Sequence, residues 1–362
     1  MKRFALALVV ALGLVAGVMG QPTKAQDMTK VTLQLKWVAQ AQFAGYYAAA
    51  AKGYYKDMGL DVEILPGGPD IIPEQVVAGG KANIGLDWLP SLLANREQGT
   101  DIVNIAQVYT RSGMREISFV DKGLKTSADL KGKKVGVWLG GNEFELFAAL
   151  VKNGMDPQNS ADVEIISQPF DMSLLLNGDV DAAAAMTYNE LAQVLEAVNP
   201  ATGKLYTLED LNVIDFNAEG TAMLQDGLFA SSEWLKDNEE TATKFLAASF
   251  KGWAFCRDNV DECTKIVLDA GTALGESHQK WQMNEVNKLI WPNEKGIGVM
   301  DEAAFKQTAD ISLSYKVISK EADASAYRTD LATKALEMLG ADFDANGKDF
   351  APTTVELKEG GK

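Results

Sequence analysis

A strand-and-helix unit recurs three times, and then three times more at an offset of about 100 residues, which limits the architecture of this chain more than any other feature. In the first series "VTLQLKW" reads as a strand, 43–58 as a helix closed by Gly59, "DVEIL" as a strand, 73–79 as a helix, "ANIGLDW" as a strand and 90–98 as a helix stopped by Gly99. In the second, "VGVW" is followed by a helix over 143–153, "DVEIIS" by one over 171–177, and "DAAAAMTY" by one over 189–198. The echo extends to single residues. Trp37 ends the first strand of one series and Trp138 that of the other, "GLDVEI" answers to "ADVEII", and "GGKANIGLDW" to "NGDVDAAAAMTY". Strands alternating with helices build mostly parallel sheets, and 362 residues that are 47% hydrophobic fill two cores. The sequence therefore predicts an α/β protein of two similar lobes, each a mostly parallel sheet flanked by helices, with a ligand held in the cleft between them.

The order of segments follows from the same pattern. Residues 1–25 read as a signal peptide, 26–120 as the first part of lobe 1, 121–212 as lobe 2, and 213–362 as a return to lobe 1 followed by helices over 239–256, 260–271, 279–290 and 301–313. The crossings are expected at 117–123 and 211–216. At the front of the chain Lys2 and Arg3 precede an uncharged apolar run, and Gly20 and Ala25 offer small residues for cleavage, so export to the periplasm is expected. The run is short for a membrane span, which takes roughly 20 residues.

Charge narrows the partners. A net charge of -16 argues against nucleic acid, whose binding takes clustered Lys and Arg. The only two cysteines are Cys256 and Cys263. Two nearby thiols in an exported chain tend to pair, but in one continuous helix their Cα atoms would lie roughly 10 Å apart, beyond disulfide reach. A bridge therefore requires "RDNVDE" to break the helix, with Asp258 and Asn259 as capping types; without the break the two remain buried free thiols.

In parallel α/β sheets, ligands sit beyond the carboxyl ends of the strands. Trp37, Trp88, Trp138 and Tyr188 fall at or just past those ends, two from each series, and read as stacking platforms in a shared cleft. Gln42 and Asn189 are polar neighbours of these platforms. In "LGGNEFELF" a tight turn leads into a helix whose first turn carries Asn142 and Glu143. These either line the cleft or cap the helix and complement its dipole. Glu190 has the same ambiguity; as a ligand acceptor it would take ring N–H or exocyclic amine donors. The sole histidine, His278, reads as solvent-exposed. No nucleotide-binding glycine motif, zinc spacing or nucleophile elbow is present, and neither a metal nor a cofactor is expected.

"LKWVAQAQFAGYYAAAAKGYYKDMGLDVEILPGGPD", "LKGKKVGVWLGGNEFELFAAL" and "AAAAMTYNE" resemble the solute-binding proteins of ABC importers that include thiamine-precursor pyrimidine binders and their riboflavin, sulfonate and nitrate relatives. The likeness covers roughly residues 30–320. It implies a monomer that closes two lobes over one small molecule and presents it to a permease, with "MTYNE" in the ligand-holding segment. The same family contains fungal-type thiamine pyrimidine synthases, which use a lysine aldimine and consume their own histidine. Asp87 and Ser91 stand at those positions here, and "GTAMLQDGLFAS" stands where those enzymes carry a cysteine-rich motif. A carboxylate cannot form an aldimine, so the resemblance implies binding without catalysis. The ligand expected is a flat nitrogen heteroaromatic, first a thiamine-precursor pyrimidine and second riboflavin.

Overall fold

A computed structural model describes residues 28–362; the expected signal peptide lies outside the described residues. The first sheet holds β1 (Thr29–Gln34), β2 (Leu60–Leu65), β3 (Ile84–Asp87) and β4 (Ile102–Gln107). The second holds β5 (Met114–Phe119), β6 (Lys134–Val137), β7 (Glu164–Ser167) and β8 (Ala182–Met186). A small hairpin follows, β9 (Val198–Asn199) and β10 (Lys204–Leu205), and then β11 (Leu211–Asp215) and β12 (Gly227–Ser231). The two five-stranded sheets have the orders β2-β1-β3-β12-β4 and β11-β5-β8-β6-β7, so one is the other read backwards. In each, one strand runs against the rest. β12 is antiparallel to both β3 and β4, and β5 is antiparallel to both β8 and β11. The central strands β3 and β8 and the edge strand β4 are buried throughout, as expected of strands covered on both faces.

These two reversed strands move the crossings. The expected positions, 117–123 and 211–216, fall within or beside β5 and β11, which complete the second sheet; the chain passes between sheets at 108–113 and 216–226 instead. Periodicity alone does not say which sheet an isolated strand joins. Glu145, buried on the helix Phe144–Lys152, ties the two crossings together. It accepts hydrogen bonds from Ser112 Oγ at 2.7 Å, Met223 N at 3.2 Å and Gln225 Nε2 at 3.2 Å.

The helix expected over 43–58 is divided into Ala44–Ala51 and Tyr54–Asp57 by Gly53, whose φ of 78° is outside the helical range. Beyond β12 the helices are Ser232–Asp258, Val260–Ala270, Glu276–Ile290, Glu302–Ser314 and Asp330–Leu339. Asn259, at φ -136° and ψ 59°, breaks the first from the second, and Cys256 and Cys263 are joined with Cα atoms 5.1 Å apart. The C-terminal segment returns along the helix Glu276–Ile290. Thr353 N donates to Asn284 Oδ1 at 2.8 Å, and Gly360 N reaches Glu196 O, in the second lobe, at 3.2 Å. Among the described residues no helix is long and apolar enough to cross a membrane.

Candidate functional site

The parallel strands of each sheet end at one cleft. Trp88 and Trp138 directly follow β3 and β6, while Trp37 and Tyr188 lie a few residues past β1 and β8. All four line one cavity between the lobes. Trp37 meets Phe170 of the opposite lobe at a ring separation of 4.6 Å and 53°. The indole N–H of Trp88 donates to Asp226 Oδ1 at 3.0 Å and that of Trp138 to the Pro169 carbonyl at 3.0 Å. Both polar edges are thus satisfied within the protein.

The first lobe supplies a charged floor. Lys36 Nζ lies 2.5 Å from Asp87 Oδ1 and 5.2 Å from the Trp88 ring centre. Burial works to lower the Lys36 pKa, but Asp87 and, behind it, Glu74 and Asp226 hold it above the ordinary lysine value. Glu74 is wholly buried; burial first and then Asp87 push it up to about 8, so at neutral pH it keeps a proton. Asp226 accepts from Gln42 Nε2 at 2.8 Å as well as from Trp88, and burial pushes it up to about 7. Its φ of 40° is left-handed, a region that asparagine and aspartate enter more readily than most residues. Gln40 Nε2 in turn donates to Gln42 Oε1 at 2.8 Å.

On the second lobe, Asn142, Asn189 and Glu190 join Trp138 and Tyr188 in the lining. Glu190 Oε2 accepts from Met186 N at 3.0 Å and its Oε1 from Asn189 Nδ2 at 2.7 Å. Burial pushes Glu190 up to about 7. Glu143 departs from expectation. Its Oε2 accepts from Gly141 N at 2.7 Å, holding a turn in which Gly140 and Gly141 have φ of 99° and 130°, and the residue faces a separate groove. His278 also departs: its side chain is 12% exposed and bonded at both ring nitrogens, because the C-terminal segment and the second lobe cover it.

The fold is that of periplasmic binding proteins. The periplasmic aliphatic sulphonate-binding protein SsuA from Escherichia coli superposes with a TM-score of 0.62 at 15% identity, over 92% of this chain and 94% of its own. Residues 40–263 match the family described as NMT1/THI5 like. This chain belongs to the NMT1/THI5-like family. Relatives include the riboflavin-binding protein RibY of Chloroflexus aurantiacus, 25% identical over 83% of this chain and 85% of the relative. The formylaminopyrimidine-binding protein of Halalkalibacterium halodurans is 24% identical over 67% of this chain and 71% of the relative. A Saccharomyces cerevisiae 4-amino-5-hydroxymethyl-2-methylpyrimidine phosphate synthase also matches, 24% identical over 60% of this chain and 64% of the enzyme.

Within this family the cleft amine is informative. Lys36 is paired with Asp87, and the acids around it hold its pKa above the ordinary lysine value. Gln40, Phe170 and Met186 line the cleft together with Lys36 without having been foreseen as site residues themselves, and Asp226 sits beneath it. Lys36 and Phe170 do follow the carboxyl-end rule, one after β1 and one after β7. The only local signal for Asp226 is its place in the turn-forming pair Asp226–Gly227.

Proposed function

We propose that this chain is an exported, monomeric solute-binding protein that captures a flat nitrogen heteroaromatic between its lobes and delivers it to the permease of an ABC importer, without catalysis. A thiamine-precursor pyrimidine is the first ligand and riboflavin the second. The observation that carries this reading is the convergence of Trp37, Trp88, Trp138 and Tyr188, two from each lobe, on one cleft. Rings so placed sandwich a planar ligand, each aromatic pair adding about 0.5–1.5 kcal/mol beyond area burial. Glu190 supplies an acceptor for N–H donors, and each carboxylate oxygen retains a second lone pair. A small oxyanion fits less well, because the lining contains one cation, Lys36, and that cation is paired with Asp87. The pyrimidine-binding relative supports a single ring; the RibY match supports the riboflavin alternative.

Calorimetric titration with an aminopyrimidine and with riboflavin tests the reading. Binding of a small oxyanion with silence from both heterocycles overturns it. Mass analysis of small molecules released from protein purified out of its native host identifies the ligand independently. Export requires a mature N-terminus between about residues 21 and 27 in the periplasmic fraction.

A further inference from the structure

The sole histidine of the chain, His278, bridges the two lobes outside the cleft. It is carried on the helix Glu276–Ile290, which is anchored to the first lobe where Gln279 Oε1 accepts from Ala41 N at 2.8 Å. From there His278 Nδ1 meets Glu196 Oε1 at 2.9 Å and Nε2 meets Asn189 Oδ1 at 2.9 Å. Trp281, one turn on, donates to the Thr187 carbonyl at 2.8 Å. Glu196 ends the helix that Asn189 and Glu190 begin, so one short helix presents both partners of the ring. The other charged groups nearby, Glu276 and Lys280 on the histidine's own helix, pair with each other at 3.1 Å, and Lys280 also pairs with Asp261 at 3.1 Å. The C-terminal segment lays Gly361 against His278 and Glu196.

The hydrogens in this chain are constrained. A carboxylate only accepts, so an ionised Glu190 turns the Asn189 amide nitrogen toward itself and leaves Asn189 Oδ1 facing the ring. His278 then has an acceptor at each nitrogen, Glu196 at Nδ1 and Asn189 at Nε2, and must donate from both. The alternative arrangement moves one proton from the ring to the carboxyl. A protonated Glu190 donates to Asn189 Oδ1, the amide turns over, and its NH2 donates to a bare Nε2. The amide therefore links the charge of a cleft carboxylate to that of a ring outside the cleft. We propose that His278 is a positioning residue that, through Asn189, keeps Glu190 ionised and oriented as an acceptor for ligand N–H groups; the ligand part of this rests on the function proposed above. Burial raises Glu190 while hydrogen bonds and the His278 charge draw it back, which agrees with such a link.

A chain with one histidine makes the test direct. In protein labelled with 15N-histidine, the expected spectrum at pH 7 has N–H signals from both ring nitrogens. Glu190→Gln offers Asn189 a donor as well as an acceptor, and is expected to remove the Nε2–H signal. One signal in the wild type, or two in the variant, overturns the proposal. In a second arm, aminopyrimidine affinity is measured by calorimetry from pH 5.5 to 8.5 for wild type and His278→Gln, compared at equal pH so that the ligand's own titration cancels. Loss of the ring charge is expected to shift the rise in affinity to higher pH, with at least a threefold larger deficit at pH 6.5 than at pH 8.5. A uniform deficit at every pH overturns the proposal in favour of a packing role. If the wild type binds no aminopyrimidine, the proposed pyrimidine ligand fails while the ring spectrum still decides the role of His278.

Discussion

The two lobes share a topology and both bring aromatic residues to the cleft, Trp37 and Trp88 from the first and Trp138, Phe170 and Tyr188 from the second, yet they place their buried acids differently. In the first lobe Asp226 is bonded by Gln42 and Trp88, and Asp87 by Lys36, so the carboxylates are spent on holding the site's own side chains. In the second lobe Glu190 is held by one backbone N–H and one amide, and it faces the cavity with acceptor capacity to spare. On the function proposed above, the first lobe would serve as a platform and the second would select among ligands. Asp226 and Glu190 each accept one hydrogen bond per oxygen; the difference is position, Asp87 and Asp226 lying beneath the lining and Glu190 within it, where its remaining lone pairs face the cavity.

The largest test of this contrast is Trp88→Ala. It removes a buried ring and strips Asp226 of a donor, and should destabilise the protein by roughly 3–5 kcal/mol in urea unfolding as well as weaken the ligand. A loss no greater than that of a surface substitution would mean that the floor is not rigid. Reducing the Cys256–Cys263 bridge should cost about 2–3 kcal/mol of stability for so short a loop and leave affinity unchanged, because the bridge lies away from the cleft. Free thiols in the denatured protein isolated without reductant would disprove the bridge itself.

Trp37→Ala should divide the two properties the other way. The residue is half-buried and closes the mouth against Phe170, so affinity should drop at least about tenfold, or 1.4 kcal/mol, with folding retained; Trp138→Ala should weaken binding to the same degree. Glu190→Gln should have a smaller effect, several-fold, and weaken an exocyclic-amine ligand more than one offering a single ring N–H, since charge-assisted bonds are lost. Equal losses for both ligands would remove Glu190 from selection.

A separate expected effect is on the pH dependence of stability. Burial raises Glu74 and Glu145 to about 8, and Asp226 and Glu190 to about 7, above unfolded values near 4. The folded state therefore holds more protons, and the stability these groups contribute is present in acid and lost as pH rises from about 4 through 8. The urea midpoint should be higher at pH 5.5 than at pH 8, and Asp226→Asn and Glu190→Gln should each flatten that difference.

Much of the site was legible before folding. A parallel strand ends where the next helix begins, so an aromatic at that junction is placed at the cleft by local pattern alone, as Trp37, Trp88, Trp138 and Tyr188 show. The helix break at Asn259, on which the disulfide depends, was equally local. Glu143 was misplaced because strand, turn and helix do not say to which side a first-turn carboxylate swings; the Gly141 N–H decided it.

What the sequence determined by itself was therefore periodic: two α/β lobes, the ends of their strands and the aromatics standing there. What only the tertiary structure decided was distant. β12 and β5 run backwards inside otherwise parallel sheets, Asp226 reaches Gln42 from 184 residues away, and His278 meets Asn189 across 89. Periodicity records which face of an element is buried, over a few turns of chain. Which buried acid meets which donor is fixed by how whole elements pack, and no local pattern carries that information.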